Sequence, residues 1–319
     1  MYCNDLVSLI DEIVHFRNRQ MSDVMIRDGV DGGGGFMKIS LSVFDINRPI
    51  SQLSKIAKKY KDSGVKKVFL IACSPGLPEN YINVKKLWLA TGLHKLRYKF
   101  TISTDLKLCN ILLGLQNHSS LHLCCWCEVS KHHLEKKGKP RTYASLIELF
   151  LNHDDAQVNK KYATQFGNVI HVRIVEDEDS DTPVINKVPP PELHLLLGPT
   201  NHLLDELPKV WPECNAWLQS IHVTRCDYFG GSFEGNECKI ILNKLGSLRE
   251  KCPAKFSQFV TTLKLFDEVV SSCYGFELAR DFLKKIVAFK TAYLKLPISV
   301  TPKVHAVFYH IPEFCLLSR

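Results

Sequence analysis

Two short ligand pairs, far apart in the chain, constrain its fold more than any other feature: Cys124 and Cys127 in the run 123–127, and His305 and His310 near the end. Thiolates separated by two residues, and imidazoles separated by three to five, can each supply half of a tetrahedral zinc sphere from one turn or one helix face. Together they read as one split two-cysteine, two-histidine site, so the fold must bring the chain back on itself after 178 residues. The entropy of closing a loop grows only with the logarithm of its length, whereas a structural zinc contributes roughly 10 kcal/mol or more, so the separation is no obstacle. The competing reading is plain burial. Cysteine often packs as a small hydrophobe, this chain has 12 of them, and histidines in an apolar segment can be satisfied core residues. Cys125 is either a bystander or an alternative ligand.

With 45% hydrophobic and 23% charged residues over 319 positions, the composition is that of a globular chain long enough for one large domain or two. No run of 18 apolar residues occurs, and acids interrupt the short apolar stretch of the first 20 residues. Neither a membrane span nor a signal peptide is expected, which places the chain inside the cell, in nucleus or cytoplasm. Scattered cysteines without a regular framework fit reduced thiols plus a metal better than secreted disulfides.

The formal net charge is +8 and it is uneven. Between Leu53 and Lys99 ten lysines and Arg97 face only Asp62 and Glu79, a density that suits a polyanion such as a nucleic-acid backbone. Lys58, Lys59, Lys66 and Lys67 are the expected DNA contacts. The alternative is the solvated face of an amphipathic helix. The acidic run 176–181 reads as a solvated loop.

Residues 22–30 form an apolar run ending near Asp28, followed by Gly32–Gly35 and an alternating segment at 36–45, which predicts an antiparallel hairpin with a glycine turn. A phosphate-binding loop is not expected there, because the run lacks a Gly-Lys-Ser/Thr ending and a following helix, and a flexible hairpin turn is enough. A helix over 51–64, a buried strand over 65–74, a helix over 79–93 and a strand over 96–104 that delivers Asp105 follow, with another helix after it. Beyond Lys131 long helical stretches predominate.

Asp28 and Asp105 are the candidates for chemistry, with Asp31 a second choice for the first position. If their strands are neighbours, two carboxylates lie close, and like charges that close are stable only with a shared proton or a divalent cation. Carboxylates bridging Mg²⁺ or Mn²⁺ are how a two-metal phosphoryl-transfer site is made. Taken singly, each aspartate is a turn residue or a helix cap.

The series from Asp28 through Asp105, Cys124 nineteen residues later, Cys127, Glu192-Leu193-His194, Gly230-Gly231-Ser232-Phe233 and finally His305 and His310 resembles the DDE transposases of the Transib and Chapaev kind, a set that includes the recombinase of antigen-receptor gene rearrangement. The resemblance spans nearly the whole chain from Asp28 onward. It implies an α/β fold in which an RNase H-like mixed sheet is interrupted by a mostly helical insertion. It also implies DNA strand cleavage and transfer, with Asp28 and Asp105 as Mg²⁺ or Mn²⁺ ligands and His194 near the scissile phosphate. The expected divisions are an N-terminal remnant helix at 1–22, the sheet core with both aspartates and the cysteine pair at 23–130, the insertion at 131–300, and the histidine pair with the C-terminus at 301–319.

One feature departs from that family. Its third carboxylate, a Glu on a helix beyond the zinc histidines, has no counterpart in the nine residues after His310, and the tail 311–319 with Pro312 is not expected to form such a helix. Glu313, three residues from a zinc ligand, reads as local structure. The expectation is therefore a truncated or domesticated transposase-derived DNA-binding protein, a remnant of a DDE core with structural zinc. DNA and a second copy of the chain are the expected partners, with no membrane or small-molecule substrate. The alternatives are an active core completed by a downstream Glu, and an unrelated soluble zinc-binding α/β protein.

Overall fold

The structure, a computed structural model, describes residues 2–45, 68–117, 120–155, 160–177, 179–227, 231–275 and 278–317. The chain divides into two units, one of residues 1–131 and 138–189, the other of 132–137 and 190–319. The helix expected over 51–64 and the four lysines 58, 59, 66 and 67 lie outside the described residues.

The first unit is built on a four-stranded mixed sheet in the order β3-β2-β1-β4. Its strands are β1 (Val24–Asp31), β2 (Phe36–Asp45), β3 (Phe69–Pro75) and β4 (Phe100–Thr104). β1 and β2 are the expected antiparallel hairpin. Gly34 and Gly35 in its turn take φ of +68° and +76°, a region in which side-chain-bearing residues are strained. β1 alternates strictly, with Val24, Ile26, Asp28 and Val30 turned into the core and Arg27 and Asp31 outward. Fully burying each aliphatic side chain of such a row contributes about 1.5–3 kcal/mol, which fixes the register. β4 runs parallel to β1, with Ile102 opposite Asp28.

Helix α1 (Leu6–Phe16) buries Leu6, Ile10 and Val14, one per turn, and is capped by Asp5, whose carboxylate accepts from Ser8 N at 3.0 Å. Helix α2 (Tyr81–Ala90) buries Val84 and Trp88 by the same four-residue step. Helix α3 (Leu106–Leu112) follows β4 directly, and α4 (Tyr143–Asp155) is the last α-helix of the unit among the described residues.

The second unit is helical: α5 (Glu192–Val210), α6 (Cys214–Ser220), α7 (Gly235–Asn243), α8 (Leu245–Lys251), α9 (Ser257–Cys273), α10 (Phe282–Tyr293) and α11 (Pro302–Leu317). Phe266, Phe289, Tyr293 and Phe308, with ring centroids 5.1–5.8 Å apart, join α9, α10 and α11 in one aromatic core. α11 continues through Pro312 to Leu317, so the tail expected to break off after the histidines is instead the end of the helix that carries them. Among the described residues no helix is long and apolar enough to cross a membrane.

Candidate metal centre

Cys124 and Cys127 sit in a loop that the first unit holds rigid from several sides. Arg141, fully buried, donates from Nε to Cys124 O at 3.1 Å and from Nη2 to Gly167 O at 2.8 Å and His122 O at 3.4 Å. Trp126 Nε1 donates to Val188 O at 2.7 Å, Lys131 N to Leu121 O at 2.7 Å, and Cys127 bridges to Pro140. Gly138 is required beside this loop, because a Cβ there would meet Val129 N at 2.5 Å. Both sulfurs are buried, and burial together with the neighbouring Cys127 pushes the Cys124 thiol well above its usual range. Two sulfurs so placed ionise together only if a cation takes up their charge.

His305 and His310 are fully buried on α11, with ring centroids 5.1 Å apart. His305 Nδ1 is 2.9 Å from Leu134 O and His310 Nδ1 is 3.2 Å from Glu313 Oε2. A carbonyl and a carboxylate only accept, so each Nδ1 carries the proton and each lone pair sits on Nε2, the arrangement of a metal-bound imidazole with its orienting partner. Lys137 stands 3.7 Å from the same Glu313 oxygen, and Tyr309 donates its hydroxyl to Glu135 O. The 132–137 loop is thus fastened to the histidine helix within the second unit, and Cys127 is five residues upstream of it along the chain.

The ligand atoms of Cys124, Cys127, His305 and His310 all lie within 4.8 Å of one another. A tetrahedron with Zn–S of about 2.3 Å and Zn–N of about 2.0 Å sets its ligand atoms about 3.3–3.8 Å apart. This buried two-cysteine, two-histidine group could hold a metal such as zinc, and its donor set, its burial and its orienting hydrogen bonds all suit that ion. Cys125 is not part of the group: it is buried, and burial with the neighbouring Cys109 of α3 pushes its thiol well above its usual range, which makes it a bystander.

The aspartates are arranged differently from the expectation. Asp28 is not at a strand end but fifth of the eight residues of β1, fully buried, with Leu41 and Ile102 as ladder neighbours. Among the described residues neither of its oxygens has a hydrogen-bond partner, and burial raises its pKa to about 8 against a smaller opposing pull from Lys187. Thr104 Oγ1, two residues along the inward face of β4, also lacks a partner. Asp105 is half-buried and caps α3, accepting from Leu108 N at 2.7 Å. The parallel ladder pairs Asp28 with Ile102, so Asp105 lies three residues further on, about 10 Å along the strand. Among the described residues the two aspartates do not join a third Asp, Glu, His or Cys in a metal-sized group. His194 is half-buried on the first turn of α5, in the other unit from both aspartates.

The sequence reading missed Arg141, which has no local signature, and the orienting role of Glu313, which the three-residue step from His310 within one helix announces. No protein-family model matches the sequence, and no curated protein matches it.

Proposed function

We propose that this chain is a zinc-organised DNA-binding protein of DDE transposase descent, its mixed sheet an RNase H-like core and residues 131–300 the helical insertion. The observation that carries the reading is Asp28: a carboxylate without a partner on the central strand, beside the strand that delivers Asp105. A buried bare carboxylate costs several kcal/mol and persists where a proton or a cation neutralises it. The four-residue metal group supports the same descent, because it falls at the positions that the resemblance assigns to zinc. The zinc would be structural, tying the cysteine loop to α11.

Binding rather than strand cleavage is the reading the geometry favours. In-line phosphoryl transfer needs two ions roughly 4 Å apart between shared carboxylates, whereas Asp105 is engaged as a cap and stands about three residues along the ladder from Asp28. Cleavage is the second reading, favoured by the buried, partnerless carboxylate of Asp28 among the described residues alone. A nicking assay on supercoiled DNA with Mn²⁺ decides between them, comparing the chain with Asp28→Ala, Asp105→Ala and His194→Ala. DNA retention by gel shift with no nicking fits the binding reading. Nicking that the aspartate substitutions abolish establishes the enzyme, and absence of any DNA retention removes both.

A further inference from the structure

In the first unit, a cleft of about 730 Å³ runs beside α2 and the start of β4. Its charged lining is Lys85, Arg97, Lys99, Arg173 and Lys187 against Glu176 and Asp177. A second cleft of about 510 Å³, lined by Gln20, Met21 and Ser22, shares Arg97 and Lys99 with the first, so these two side chains form a ridge common to both.

The local fold preorganises that ridge. Tyr98 is buried and donates its hydroxyl to the Asp11 carboxylate, while Arg97 and Lys99 on either side of it are exposed. Arg97 and Lys99 flank the bend at Tyr98, so the chain turns its aromatic ring inward and leaves the two cations on the surface beside both clefts. Among the described residues neither cation has a carboxylate within ion-pair distance. The neighbouring charges are already engaged. Lys187 lies 3.1 Å from Asp177 and 4.1 Å above the Phe100 ring, and Arg173 stacks over Tyr143 at 5.5 Å. Exposed Glu176 makes one wall repulsive to anions, so a polyanion would run along the Arg97–Lys99 side.

The geometry points to this trough as a docking surface for the phosphate backbone of DNA, with Arg97 and Lys99 as its central contacts. It rests on the DNA-binding reading and deepens it. The surface lies at the Phe100 end of β4, the opposite end from Asp105, so it anchors backbone away from the aspartates and carries no chemistry. Unpaired cations of this kind release counterions from DNA when they bind and carry no base information, which makes the contact salt-dependent and indifferent to sequence.

The test is fluorescence anisotropy of the full chain with a labelled duplex between about 50 and 200 mM salt. The ridge variant Arg97→Glu with Lys99→Glu is compared with Lys239→Glu with Lys264→Glu, two exposed lysines on α7 and α9 whose reversal changes net charge equally. The ridge variant should lower the log-log salt slope by about 1.8, about 0.9 per phosphate contact, and the control pair by much less. Arg97→Ala with Lys99→Ala repeats the comparison without introduced repulsion, and a circular-dichroism melt confirms folding. Ridge and control variants that weaken binding equally overturn the trough while leaving DNA binding intact. Wild-type protein that binds no duplex overturns the DNA reading itself. Binding of tripolyphosphate at the ridge without any of DNA marks a small-anion site and overturns the proposal.

Discussion

Asp28→Asn should remove a pH dependence that the wild-type fold carries. Asp28 is fully buried with both oxygens partnerless, and burial, with only Lys187 opposing, lifts its pKa from 3.8 to about 8. The folded chain therefore holds this proton more tightly than the unfolded chain. The group's contribution to stability is complete below the unfolded value near pH 4 and is lost as pH rises through the folded value. At about 1.4 kcal/mol per unit, a shift of about four units amounts to about 6 kcal/mol by pH 9, a large share of the 5–15 kcal/mol that holds a typical domain together. Asn has the same shape and does not ionise. Urea unfolding at pH 5, 7 and 9, in buffers with zinc but without magnesium or manganese, should show the wild type losing several kcal/mol more than Asp28→Asn across the range. Parallel profiles would refute the buried-proton argument. At pH 8, Mn²⁺ should stabilise the wild type and not Asp28→Asn if this carboxylate takes a cation, and equal effects on both would sink that role.

Three further outcomes follow from the same structure. Glu313→Gln should weaken zinc about 10- to 100-fold in chelator competition, because the carboxylate that orients His310 is lost, and unchanged affinity would show Glu313 to be mere helix surface. Arg141→Met should destabilise the fold by about 3 kcal/mol in denaturant titration, since the carbonyls of Cys124, His122 and Gly167 lose their donor inside the protein; a change below about 0.5 kcal/mol would contradict that. Reversing Lys58, Lys59, Lys66 and Lys67 to Glu should weaken DNA binding and flatten its salt dependence, and an affinity indifferent to salt would rule out backbone contact by that stretch.

The hairpin was legible because strict alternation over 36–45 and a glycine turn both act locally, and β2 occupies that span. The split metal group was legible because ligand spacing is local to each half, even though the halves are far apart in sequence. Other features depend on what the chain meets. The apolar run in sequence ends near Asp28, yet the ladder carries β1 on to Asp31 and places Asp28 inward with Ile26 and Val30. Pro312 looked like a stop, yet its ring and missing N–H are accommodated inside α11. The helical pattern beyond Lys131 does not show where helices break, and the backbone of Lys244, at φ −104° and ψ 9°, separates α7 from α8. Nothing near Arg141 announces that its guanidinium is buried under the cysteine loop, because its partners come from Cys124, His122 and Gly167, each at least 17 residues away.

The most direct test of the account is metal analysis of the purified chain, by plasma mass spectrometry, beside Cys127→Ser and His310→Ala. A structural zinc held by Cys124, Cys127, His305 and His310 predicts about one zinc per chain in the wild type and loss from both variants. It also predicts a large drop in unfolding stability on chelation, since such sites contribute roughly 10 kcal/mol or more. Wild-type protein that folds with no bound metal, and whose stability chelation leaves unchanged, would contradict the account at its centre.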